Sequence, residues 1–147
     1  MSNSNNNNNS YSTQNNNIDQ LNIDTALRKY GWLHKLSHNG LKMWRKRYFV
    51  LTDYILDYYS DSTMSKHCGT IFLNNTISRT TNKKDGSSAN NKKHSFKVEL
   101  LNPEMVKSNS NLNTTGLTND VFIFLAADST ANMNEWINKF NFVSKLK

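Results

Sequence analysis

Between residues 30 and 127, short apolar and aromatic runs alternate with polar punctuation. YGWLHKLS (30–37), MWRKRYFVLT (43–52) and YILDYYS (54–60) follow one another through tight connections. GTIFLN (69–74), TISRT (76–80), HSFKVELL (94–101) and DVFIFLAA (120–127) come after them. Each run is rich in β-branched and aromatic residues and bounded by Gly, Asn, Asp or Ser, which favour turns. Seven such strands predict an antiparallel sandwich or barrel. The period then changes: Met133, Trp136, Ile137 and Phe140 recur at helical spacing, and Asp128 or Ser129 offers an N-cap. Asp128 and Glu135 early, with Lys145 and Lys147 late, suit the helix dipole. One amphipathic helix is therefore expected to plug one end of a mainly β fold.

The remaining segments are polar filler. MSNSNNNNNSYSTQNNNIDQ has too little apolar area to offset the entropy of ordering, so residues 1–25 are read as a disordered Asn-rich leader and residues 26–147 as one domain. The same bias fills TTNKKDGSSANNKK (80–93) and KSNSNLNTTGLTN (107–119), which are read as loop insertions.

Charge adds direction to this picture. The 147 residues carry a formal net charge of +7, which points to acidic partners such as phosphoinositides, anionic membranes or nucleic acid. It is concentrated: Arg28 to Arg47 holds seven Lys or Arg and no Asp or Glu. Cys68 is the single cysteine, so no internal disulfide forms and a reducing, cytoplasmic setting is expected. Its first residues lack an apolar run and a glycine after Met1, so neither a signal peptide nor myristoylation is expected, and no apolar run is long enough to span a bilayer. Any meeting with a membrane is expected to be a surface one.

The stretch KMWRKRYFVL (42–51) carries the candidate chemistry. Strand alternation puts Arg45 and Arg47 on the same face as Phe49 and Leu51, and Gly31, Leu33 and Lys35 on one face of the preceding strand. Joined as an antiparallel hairpin, the two basic ends meet beside the 36–43 loop. Tyr58, on the face of Leu56, folds back towards the same level. An apolar interior thus turns cationic at one mouth, with a phenol among the cations and no acid in the stretch to pair them. Arginine offers a planar fork for phosphate oxygens and lysine a compact charge. Lys46 falls on the opposite face.

GWLHK (31–35), WRKRYFVL (44–51), LDYY (56–59) and the late helix bearing Trp136 resemble the pleckstrin homology (PH) family in order and spacing. The resemblance covers about residues 28–147. It implies a seven-stranded, bent antiparallel barrel capped by the C-terminal helix, with Trp136 packed into the cap. It also implies a phosphoinositide-binding module recruited reversibly from the cytoplasm to the plasma membrane, acting as a small adaptor or signalling modulator. Lys35, Arg45 and Arg47 match the subgroup that binds the 3,4,5-trisphosphate or 3,4-bisphosphate of phosphatidylinositol. By that resemblance Lys35, Arg47 and Tyr58 hold the 3- and 4-phosphates, Arg45 and Lys42 face the 1- or 5-phosphate side, and His38, Asn39 and Gly40 form the loop tip. One departure stands out: some members carry an Arg just before the fourth strand, where KHCGT puts Cys68, with Lys66 and His67 as substitutes. Lys83, Lys84, Lys92 and Lys93 are auxiliary candidates for the headgroup or the bilayer.

Two other readings of the same residues are the PH fold as a module binding an acidic or phosphorylated protein segment, and a basic barrel stacking single-stranded nucleic acid on Tyr48, Tyr54, Tyr58 and Tyr59. The hairpin signature and the Trp-bearing helix weigh against nucleic acid, which is not expected as a partner. The histidines lack ligand spacing with Cys or carboxylates, Cys68 lacks a nucleophile's arrangement, and no phosphate loop or paired carboxylates stand out. No metal, cofactor or enzymatic activity is expected.

Overall fold

The computed structural model describes residues 27–37, 42–101 and 122–145. The proposed leader and the loop tip at His38, Asn39 and Gly40 lie outside the described residues, as does the 107–119 insertion. Seven strands follow in chain order: β1 (Arg28–Leu36), β2 (Trp44–Thr52), β3 (Ile55–Tyr59), β4 (His67–Phe72), β5 (Thr76–Thr80), β6 (Ser95–Leu100) and β7 (Phe122–Ala126). A 3-10 turn (Lys83–Asp85) and a single-turn helix α1 (Ser87–Asn90) sit between β5 and β6, and helix α2 (Thr130–Val143) closes the described chain.

All seven strands form one antiparallel sheet in the order β4-β3-β2-β1-β7-β6-β5. Asp53, at φ 56°, turns β2 into β3, and Asn75, at φ 59°, turns β4 towards β5. Asp and Asn tolerate that left-handed conformation better than other side chains. The expected mainly β, PH-like fold with its terminal helix is present, but the sheet is not closed into a barrel, since β4 and β5 are its two edges. Part of the β5 edge is covered by the helix. Asn141 of α2 accepts from the Ser78 backbone N–H at 2.8 Å and donates to the Ser78 carbonyl at 3.0 Å, so a side chain occupies groups that a neighbouring strand would use.

Alternation gives the sheet one apolar face. Leu33, Phe49, Leu51, Leu56, Ile71, Phe96, Val98, Ile123 and Leu125 come from six strands and share one buried cluster. Helix α2 completes it with Met133, Trp136, Phe140 and Val143, while Ile137 is partly buried. Ser129 is the N-cap, its Oγ accepting from the Asn132 N–H at 3.1 Å. Trp136 lies beneath the bare backbone of Gly31 and edge-on to Phe140, with ring centroids 5.6 Å apart. Lys29 spans the same junction, its Nζ 4.9 Å from the Trp136 ring and 3.3 Å from Glu135.

The 80–93 segment corrects its reading as filler. Asn82 and Asp85 form a capping box around the 3-10 turn, and Asp85 also pairs with Arg79 at 3.1 Å and Lys97 at 3.3 Å. Ala89 of α1 then joins Leu36 and Phe124 in a second, smaller apolar cluster, with Trp44 and Phe122 packed against it. A short polar segment can be ordered when one buried acid gathers its backbone and basic neighbours.

Candidate functional site

The β1–β2 register sets the site. Lys35 lies opposite Arg45, Leu33 opposite Arg47 and Gly31 opposite Phe49. In the next ladders Phe49 lies opposite Tyr58, and Tyr58 opposite Gly69. Side chains directly opposite share a face, so Lys35, Arg45, Arg47 and Tyr58 stand on the core side of the sheet. Along β2 that face passes from exposed Arg45 through half-buried Arg47 to buried Phe49 and Leu51. The whole change takes six residues, about 20 Å of strand.

The groups are held individually. The Tyr58 ring stacks on Phe49 with centroids 5.2 Å apart and planes 25° from parallel. Lys35 Nζ sits 5.7 Å from the Tyr58 ring centroid and 3.5 Å from the Leu36 carbonyl. Arg47 donates through Nη1 to the Lys46 carbonyl at 3.0 Å, one of the five N–H donors of its guanidinium. Among the described residues no carboxylate pairs with Arg45 or Arg47. Burial, and then Cys68, push the Tyr58 phenol above its ordinary range, while Arg47 pulls it back. Tyr58 therefore stays a neutral hydroxyl, able to donate to an anion.

Gly69 is the residue that the sequence reading missed. A β-carbon there would collide with the Tyr58 hydroxyl and ring, so the phenol lies on bare backbone. A glycine inside a strand pattern is itself a signal for such a close approach. Beside it the ladder slips: Tyr58 pairs with Gly69 but Tyr59 with His67, leaving Cys68 as an unpaired extra residue. Cys68 is partly buried against the core, next to Tyr58.

The remaining candidates fall in different places. Lys42 is exposed just ahead of β2, and Lys66 is exposed in the turn into β4. His67 does not join the cluster. Its Nε2 lies 2.9 Å from Asp57, and it contacts Thr70 and the edge of Tyr59, all on the opposite face. The extra residue at Cys68 is the reason: it shifts the register so that His67 falls opposite Tyr59, on the Asp57 face, and not beside Gly69. Lys83, Lys84 and Lys93 are exposed on the 80–93 segment. That segment docks beside the start of β2, where Trp44 Nε1 donates to the Ser88 carbonyl at 3.0 Å. Trp44 thus packs within the protein. Burial first, and then the charges of half-buried Lys92 and of Lys46, disfavour a proton on His34, which puts Lys92 towards the His34 face of β1, opposite Lys35 and Arg47. No group of His, Cys, Asp and Glu among the described residues is arranged to hold a metal ion.

A seven-stranded antiparallel sheet with a C-terminal helix seated on its apolar face defines a PH-like fold. The PH domain of human pleckstrin homology domain-containing protein family A member 5 is a solved structure of this kind. It superposes with a TM-score of 0.57 at 25% identity, covering 79% of this chain and 75% of that one. The PH domain family model matches residues 27–145, and the chain belongs to that family. Pleckstrin homology domain-containing family A member 7 of Mus musculus is 32% identical over 126 residues, covering 82% of this chain. Rho GTPase-activating protein gacFF of Dictyostelium discoideum is 30% identical over 117 residues, covering 80%. The aligned parts make up 11% and 12% of those relatives, so the chain spans about a tenth of their length. PH domains as a class are generally binding modules that take phosphoinositide headgroups or proteins. Among the described residues no helix is long and apolar enough to cross a membrane.

Proposed function

We propose that the hairpin mouth binds the headgroup of phosphatidylinositol 3,4,5-trisphosphate or 3,4-bisphosphate and so recruits the chain reversibly from the cytoplasm to the plasma membrane, where it acts as an adaptor or signalling modulator. The observation that carries this reading is the core-side alignment of Lys35, Arg45 and Arg47, the two arginines without a carboxylate partner among the described residues. Cations converging at the edge of an apolar core repel one another, and phosphates relieve that repulsion. In this reading Arg47 presents a fork to one phosphate, Lys35 a point charge between two, and Tyr58 a hydroxyl beneath them. Arg45 and Lys42, being exposed, face the outer phosphates. Lys66, Lys83, Lys84 and Lys93, all exposed, add attraction to an anionic bilayer, each about 1 kcal/mol when near its surface.

Co-sedimentation with liposomes at near-physiological salt tests the proposal. Vesicles carrying the 3,4,5-trisphosphate, 3,4-bisphosphate or 4,5-bisphosphate are compared with charge-matched phosphatidylserine. Arg47→Ala is expected to weaken binding to the 3-phosphorylated lipids at least tenfold while leaving the weak binding to phosphatidylserine. Equal binding to every anionic vesicle, unchanged in the variant, would reject the pocket.

A further inference from the structure

On the other face of the same hairpin, β1 carries Arg28, Tyr30, Trp32 and His34 at alternate positions, turned away from the main core. Tyr30 is 72% exposed and Trp32 38%. Tyr48, opposite Trp32, meets its edge with centroids 5.4 Å apart. Lys46, opposite His34, holds its Nζ 4.9 Å from the Trp32 ring. The docked 80–93 segment brings Lys92 to this end, where burial, and then Lys92 and Lys46, hold the His34 pKa below its ordinary value. Among the described residues no carboxylate pairs with Arg28, Lys46 or Lys92. The strip therefore reads cation, ring, ring, cations.

We infer that this strip docks an extended acidic segment of a protein partner, with apolar side chains at its centre. Arg28 and His34 are six positions apart, about 20 Å of strand, the reach of some six extended residues. Carboxylates at the segment's ends meet Arg28 on one side and Lys46 with Lys92 on the other. Its apolar centre covers Tyr30, Trp32 and Tyr48, rings that lose little entropy on binding and are common interface anchors. A bilayer fits the strip less well. Tyr30 lies five residues back from Lys35, about 16 Å along the strand from the mouth.

This inference does not rest on the headgroup reading, because the two sites occupy opposite faces. The test titrates the full 15N-labelled chain with acetylated Glu-Asp-Leu-Phe-Asp-Glu peptide at moderate salt. A peptide with serines replacing the two central residues is the control. Saturable shifts are expected at the amides of Tyr30, Trp32, Lys46 and Tyr48 and at the Trp32 indole. Trp32→Ser and Lys46→Glu should each weaken binding at least tenfold, and Arg47→Ala should leave it unchanged. Lys46→Glu alters only an exposed side chain, so it decides the matter if Trp32→Ser folds poorly. The inference is overturned if no saturable shifts occur, if the serine-centred peptide binds equally, if the shifts map to the mouth, or if phosphatidylserine vesicles blue-shift the Trp32 fluorescence and the peptide does not displace them.

Discussion

The Tyr58 ring packs over Gly69 so closely that no side chain fits between them. Gly69→Ala is therefore expected to push the phenol out of its stack with Phe49 and to lower stability by about 1–3 kcal/mol, as overpacking does. Urea denaturation measures that loss, and an unchanged midpoint would mean that the strand shifts without cost. If the phenol hydroxyl serves the proposed ligand, the same variant loses headgroup affinity even where it remains folded. The parity of Arg45, Arg47, Phe49 and Leu51 was legible in the sequence, because a strand alternates its faces regardless of what packs on it. The seat of Tyr58 was not. Gly69 belongs to another strand, and only the β3–β4 ladder sets the two residues opposite each other.

At the scale of elements, the 80–93 segment depends on Asp85. Arg79 first, with the Asn82 N–H and Lys97 assisting, holds the Asp85 carboxyl down to about 2 from its ordinary 3.8. A carboxyl depressed by folding stabilises the native state above its unfolded pKa, and the contribution is lost as pH falls through the folded value. The stabilisation is thus complete above pH 4, on the order of 2 kcal/mol before screening of the partly exposed Arg79, and fades between about 4 and 2. Asp85→Asn should therefore lower stability at neutral pH and flatten the acid limb of the stability profile, measured by denaturation from pH 7 to 2. Loosening should show first in hydrogen exchange at residues 82–91, next to the Trp44–Ser88 hydrogen bond. Local composition gave no hint of this order, since Asn, Lys and Ser over fourteen positions describe filler equally well.

For the whole molecule, the net charge of +7 sets long-range attraction, and the mouth is proposed to set selectivity. Salt separates the two, because screening over about 10 Å at 0.1 M weakens diffuse attraction more than close contacts. A soluble inositol 1,3,4,5-tetrakisphosphate should also raise the melting temperature by several degrees. At about a hundredfold excess over its dissociation constant, a ligand that binds only the native state adds about 2.7 kcal/mol. Arg47→Ala should abolish that rise, and equal stabilisation by inorganic sulfate would count against a shaped pocket.

The sequence by itself determined the seven strands, the amphipathic helix with Ser129 among its two candidate caps, and the cation-bearing face of the β1–β2 hairpin. Each follows from the period of the backbone and from neighbours within a few residues. Tertiary structure decided the rest. It left the sheet open, with Asn141, some sixty residues away, satisfying the Ser78 backbone at the β5 edge. The register slip at Cys68 turned His67 away from the mouth and towards Asp57, and docking against Trp44 placed α1 beside β2. Those outcomes depend on contacts between distant segments, which no local pattern encodes.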